Sequence, residues 1–161
     1  GTGYEIRVST FKTTIQIMKN KQHIKKGEGE NYNYSQDHCF IKLSSRDTNG
    51  ELCLIEDSVK PGFHLKRHHH KLMAEVFYIL SGEMELVFDD ETIILKEGDT
   101  ITVPPNVWHE AICKDGGKML TLFKNGAFDV FLETLSKMTE ADFSNKALMK
   151  SVSNKFDIYE E

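Results

Sequence analysis

The chain has 161 residues, 39% hydrophobic and 28% charged, with a formal net charge of −5. At this length one domain can bury a sizeable core without disulfide staples, and the balance is that of a folded chain. The acidic charge argues against nucleic acid as a partner, and the longest strictly apolar run, Val76 to Leu80, is five residues, too short to cross a membrane.

In chain order, residues 1–33 are ambiguous. Gly1-Thr2-Gly3 opens it without methionine, and no charged-then-apolar signal segment follows. Tyr4 to Val8 alternates like a short strand, Lys19 to Lys26 is locally basic and reads as a solvated loop, and Lys25 to Asn33 reads as a polar loop. From residue 35 to 124, short β-branched and aromatic runs are cut by turn residues. They predict strands at Cys39–Leu43, Leu52–Val59, His64–His70, Glu75–Leu80, Glu83–Phe88, Thr92–Leu95, Thr100–Val103, His109–Lys114 and Lys118–Phe123. The connectors Ser81-Gly82, Asp89-Asp90 and Asp115-Gly116-Gly117 are short enough to predict antiparallel hairpins. Parallel pairing would need crossovers of about a dozen residues. The expectation is all-β, a sandwich or small antiparallel β-barrel.

The pattern changes after Asn125-Gly126. Phe128, Phe131, Leu132 and Leu135 mark one face of a helix, and Thr139 to Asp142 resembles a capping box with Asp in place of Glu or Gln. That box would open a second helix with Leu148, Val152 and Phe156 on one face. The domain therefore reads as one unit over 1–161, with a barrel at about 35–124 and a helical tail at about 126–158. Cys39, Cys53 and Cys113 show no CxxC spacing, which suits free thiols in a reducing, cytoplasmic setting.

Chemistry concentrates around His68-His69-His70. On a strand, His68 and His70 project to one face about 6 to 7 Å apart, close enough to meet on one ion. Glu75 begins the next strand and His109 opens a later one after Pro104-Pro105. Three imidazoles and a carboxylate make a mixed nitrogen and oxygen site for a divalent first-row metal. The sequence has no serine triad order, P-loop, dinucleotide fingerprint or HExxH helix, so catalysis, if any, is metal-centred.

The spacing of Gly62, His68, His70, Glu75 and Gly82, followed by Gly98, Pro104 and His109, resembles the two motifs of the cupin superfamily. The first motif fits at every position. The second departs at Asn106, where the family usually has Gly, and at Cys113, where it usually has Asn. Asn tolerates positive φ, so the turn before His109 can survive the first change. The resemblance covers about residues 58–124 and implies a jelly-roll (double-stranded β-helix) barrel in which His68, His70, Glu75 and His109 bind one metal. The ion could be Fe, Mn, Ni, Cu, Co or Zn, because the donor set accepts them all. The tail looks like that of quercetin-dioxygenase-like cupins, in which the ligand carboxylate, here Glu75, would also serve as base.

Strand parity extends the reading to a pocket. With His68 and His70 inward, Lys66 and His64 should also face inward unless a bulge intervenes. Parity sends Phe77 and Ile79 inward from Glu75, and Ala111 and Cys113 inward from His109, with Cys113 roughly 13 Å off and so wall rather than ligand. A mainly apolar pocket suits an aromatic or enolic small molecule. The expected activity is a metal-dependent dioxygenase. The alternatives are a non-catalytic ligand-binding module and a metal-dependent isomerase or decarboxylase. Homodimers are common among cupins, and the resemblance implies one here.

Overall fold

Alternation builds the strands. In Leu52–Val59, Cys53, Ile55, Asp57 and Val59 are buried while the residues between them are less so. A computed structural model describes residues 20–161; the Tyr4 to Val8 strand and Lys19 lie outside the described residues. Among the described residues eleven strands form: β1 Asn31–Asn33, β2 Asp37–Leu43, β3 Leu52–Val59, β4 Phe63–His69, β5 Ala74–Ser81, β6 Met84–Phe88, β7 Thr92–Leu95, β8 Thr100–Val103, β9 His109–Cys113, β10 Gly117–Lys124 and β11 Tyr159–Glu160. They make two antiparallel sheets, ordered β1-β2-β3-β10-β5-β8 and β11-β4-β9-β6-β7. The sheets face one another as a jelly-roll barrel, with Phe77, Ile79 and Met119 of the first meeting Phe63, Leu86 and Ala111 of the second. Among the described residues, no helix is long and apolar enough to cross a membrane.

Two of the three expected hairpins are corners instead. Asp89-Asp90 does join the paired strands β6 and β7. Ser81-Gly82, however, carries the chain from β5 in one sheet to β6 in the other, and Asp115-Gly116-Gly117 carries it from β9 to β10. Gly82 and Gly116 take φ of 82° and 78°, and a Cβ on Gly82 would sit 2.7 Å from the Gly116 carbonyl oxygen. The two corners pack together, so a short connector here means a change of sheet. The segment expected as a polar loop up to Asn33 contributes β1, an edge strand on β2 whose polar sequence carries no alternating apolar signal.

The tail supplies three helices. The first, α1, runs Phe128–Ser136, and its Phe131 and Leu132 close a second core with Ile41, Ile55 and Phe123. The expected capping box forms between Thr139 and Asp142 and opens α2, Glu140–Ser144. The expected second helix then breaks. Asn145 adopts an extended conformation and its side chain caps a new helix, α3, Lys146–Lys155, by accepting the Leu148 N–H at 3.1 Å. Val152 and Phe156 pack on the second core, but Leu148 is exposed.

Candidate metal centre

A bulge sets the site. The β4/β9 register shifts between Leu65 and His68. Before the shift, Phe63 and Leu65 turn inward and His64 and Lys66 are exposed; after it, His68 and His70 turn inward. The parity extrapolated to Lys66 fails because of this extra residue. His64 stands at the rim of the interior cavity, paired with Glu110 at 2.6 Å.

His68 and His109 are direct ladder partners across β4 and β9, while Glu75 enters from β5 in the opposite sheet. His70 follows β4 directly. All four side chains are buried, between 1% and 8% exposed, and one potential ligand atom from each lies within 4.8 Å of the others. Glu75 Oε2 is 3.2 Å from Nε2 of both His70 and His109. The outer nitrogens are equally constrained. Nδ1 of His68 faces the Lys66 carbonyl at 2.7 Å, that of His70 the Asp157 carbonyl at 2.8 Å, and that of His109 the Val107 carbonyl at 2.9 Å.

A carbonyl can only accept, so each Nδ1 must carry the proton and donate. In the neutral ring, Nε2 is then left as a lone pair aimed at the centre. Three such lone pairs beside a carboxylate are acceptors without a donor. A cation satisfies them all, and the carbonyl clamps are the outer contacts that orient imidazoles in metal sites. The donor chemistry thus fits one divalent ion. Titration behaviour follows the same crowding. Burial, and then the charge of His109, push His68 down to about 4. Burial alone would raise Glu75, but without a cation the His109 and His70 rings, when protonated, donate from Nε2 and outweigh it, holding the carboxyl at about 2. His70 is raised: burial opposes its charge, yet the hydrogen bond and charge of Glu75 prevail.

The expected left-handed turn is present at Asn106, with φ of 64°, and its N–H donates to the His70 carbonyl at 2.6 Å. Residues 56–123 match the cupin domain family. The chain thus carries a cupin domain over these residues. In sequence, this cupin is 27% identical over 113 residues to the quercetin 2,3-dioxygenase of Bacillus subtilis strain 168, covering 70% of the chain but 34% of that relative. The chain thus matches about a third of that relative's length. In structure, it is similar to KdgF from Halomonas sp. (TM-score 0.60, 17% identity, 68% of this chain and 99% of that one). It is likewise similar to an RmlC-like cupin from Shewanella frigidimarina NCIMB 400 (TM-score 0.56, 24% identity, 68% and 96%).

The cupin's interior holds a cavity of about 260 Å³ bordered by Glu75. Phe63, Phe77 and Phe123 wall it, and Phe131 and Leu135 of α1 cover it. Ile79 and Cys113, expected at the pocket, lie instead in the core beside Met84, with the Cys113 thiol donating to the Glu83 carbonyl at 3.2 Å. Parity aimed them inward correctly, but at their level Val59, Met84 and Met119 leave a space of only about 10 Å³.

Two features escaped sequence reasoning. The same cavity is bordered by Asp37, Cys39 and Asp57, whose ligand-type atoms also lie within 4.8 Å of one another. Cys39 donates to Asp37 at 3.2 Å, Thr121 donates to Asp57 at 2.8 Å, and Asp37 Oδ1 is buried without a partner. Burial, and then the charge of Asp37, push the Asp57 carboxyl well above the usual carboxylate range. The signal was available, since Asp57 occupies an inward position in an otherwise alternating strand. The other feature is Asp157, which no local pattern near the histidines announces.

Proposed function

We propose that this cupin is a metal-dependent enzyme acting on a small aromatic or enolic molecule, with a dioxygenase as the leading reading. The observation that carries it is the convergence of buried acceptors on His68, His70, Glu75 and His109 at the edge of an apolar cavity. One divalent transition ion held there would supply Lewis acidity and, for a redox-active metal, one-electron chemistry toward oxygen. The chain's own residues do the rest. The three carbonyl clamps fix the imidazoles, so little reorganisation is left for the moment of reaction. Phe63, Phe77 and Phe123 exclude water and stack a planar ring. Glu75 turns Oε2 toward the same centre as the two imidazoles, and Oε1 is the atom available to take a proton from a substrate hydroxyl. The likeness to the Bacillus subtilis dioxygenase supports this reading.

The high-pKa Asp57 bordering the same cavity favours a second reading, a metal-dependent isomerisation or decarboxylation that moves protons and needs no oxygen. The test is an oxygen electrode, using protein loaded in turn with Fe(II), Mn(II), Ni(II) and Cu(II) against flavonols, catechols and 1,3-diketones. Oxygen uptake with substrate loss is the expected result. Turnover that persists without oxygen selects the second reading. Binding without turnover in every loaded form overturns both and leaves a ligand-binding module.

A further inference from the structure

We propose that Asp157, at the carboxyl-terminal turn, is a positioning residue for the metal centre, so that ion retention depends on the docking of the chain's last residues. This rests on the metal reading above. His70 and Glu75, two of the four candidate ligands, are joined by Lys71–Ala74, in which Met73 is fully buried in the second core while Leu72 is 69% exposed. Asp157 fixes the backbone of that connection from the other side. Its carboxylate accepts three successive backbone N–H groups, from Lys71 at 2.8 Å, Leu72 at 2.9 Å and Met73 at 2.8 Å. Successive amides converging on one anion form a concave site that holds the backbone in a single conformation. The carbonyl of the same residue accepts the His70 Nδ1–H at 2.8 Å. One residue thus fixes both the ring of one ligand and the backbone leading to the next.

The turn is itself pinned. Asp157 sits at φ of 63°, a left-handed conformation that Asp tolerates better than most residues. Ile158 beside it is 7% exposed in the second core, and Tyr159 and Glu160 pair with His69 and His68 in β11. The Tyr159 ring lies 5.4 Å from that of His69. Coupling through such contacts is reciprocal, so bound metal should in turn hold the tail in place.

The test uses full-length variants and Co(II) alone, with affinity measured by chelator competition and geometry by the visible d–d absorption. Asp157→Ala is expected to weaken Co(II) binding about 10- to 100-fold and to alter the absorption. Asp157→Asn, which keeps one acceptor oxygen and the carbonyl, falls between it and the wild type. Asp129→Asn is the control. Asp129 is a buried carboxylate that accepts from Ser44 at 2.8 Å and Ser45 at 3.0 Å, so its loss should lower Tm while leaving the Co(II) affinity unchanged. The proposal is overturned if both Asp157 variants bind Co(II) with wild-type affinity and spectrum, or if Asp129→Asn weakens binding equally. Wild-type protein that takes up no Co(II) overturns the metal reading, and the positioning role with it.

Discussion

Two buried polar clusters border one cavity, and they solve the same problem in opposite ways. Around Glu75, every Nδ1 proton is committed outward to a backbone carbonyl, so the inward-facing atoms are all acceptors. Around Asp57, two carboxyl groups meet with only a thiol and a hydroxyl as neutral donors. The first cluster carries a carboxylate that stays ionised in the metal-free protein when its neighbouring imidazoles are protonated. The second carries a carboxyl group driven toward its neutral form by burial and by Asp37. Unpaired charge is costly in such a setting, so one cluster calls for a metal cation and the other for a proton.

The largest expected effect comes from removing the charge at the first cluster. Glu75→Gln keeps the volume of the side chain but loses the anion, and divalent metal affinity should fall by more than about 100-fold, beyond what loss of an outer contact costs. Competition with a chromophoric chelator reads it directly. Near-wild-type affinity would break the contrast between the clusters.

A smaller effect separates the clusters by pH in metal-free protein. His68 has a native pKa below its unfolded value of 6.5, so its contribution is present above pH 6.5 and is lost as pH falls toward about 4. Glu75 acts in the same direction below its unfolded 4.5, toward about 2. Asp57 has the reverse sign. Its native pKa lies above the unfolded 3.8, so its contribution is full below that pH and lost as pH rises through the native value. Urea unfolding across a pH series should therefore show Asp57→Asn gaining on the wild type as pH rises. A constant difference would mean that Asp57 is not held protonated.

The smallest effect is expected at the rim. His64→Ala removes a half-exposed pair with Glu110 and should change stability by no more than about 0.5 kcal/mol, with metal affinity unchanged. A large loss of ligand binding would place His64 inside the working site after all.

Much of this was legible in the residues. The nine expected strands appear with ends shifted by no more than two residues, because alternation of side chains is a local property. The spacing of His68, His70, Glu75 and His109 singled them out, and the fold brings a ligand-type atom of each within 4.8 Å of the others. Sheet membership was not local. Gly82 and Gly116 read as hairpin turns, and only their packing against one another shows that they are corners. Lys66 was misplaced by one inserted residue, which reverses parity without leaving a mark in the sequence. Asp157 was silent for a different reason: its partners lie more than 80 positions away, and no periodicity connects them.

Elemental analysis of the full chain purified without added metal, repeated on His70→Ala, tests the central claim most directly. One transition-metal ion per wild-type chain, absent from the variant, is the predicted result. A metal-free wild type that stays metal-free when offered each divalent ion, or a variant that retains its ion in full, would contradict it.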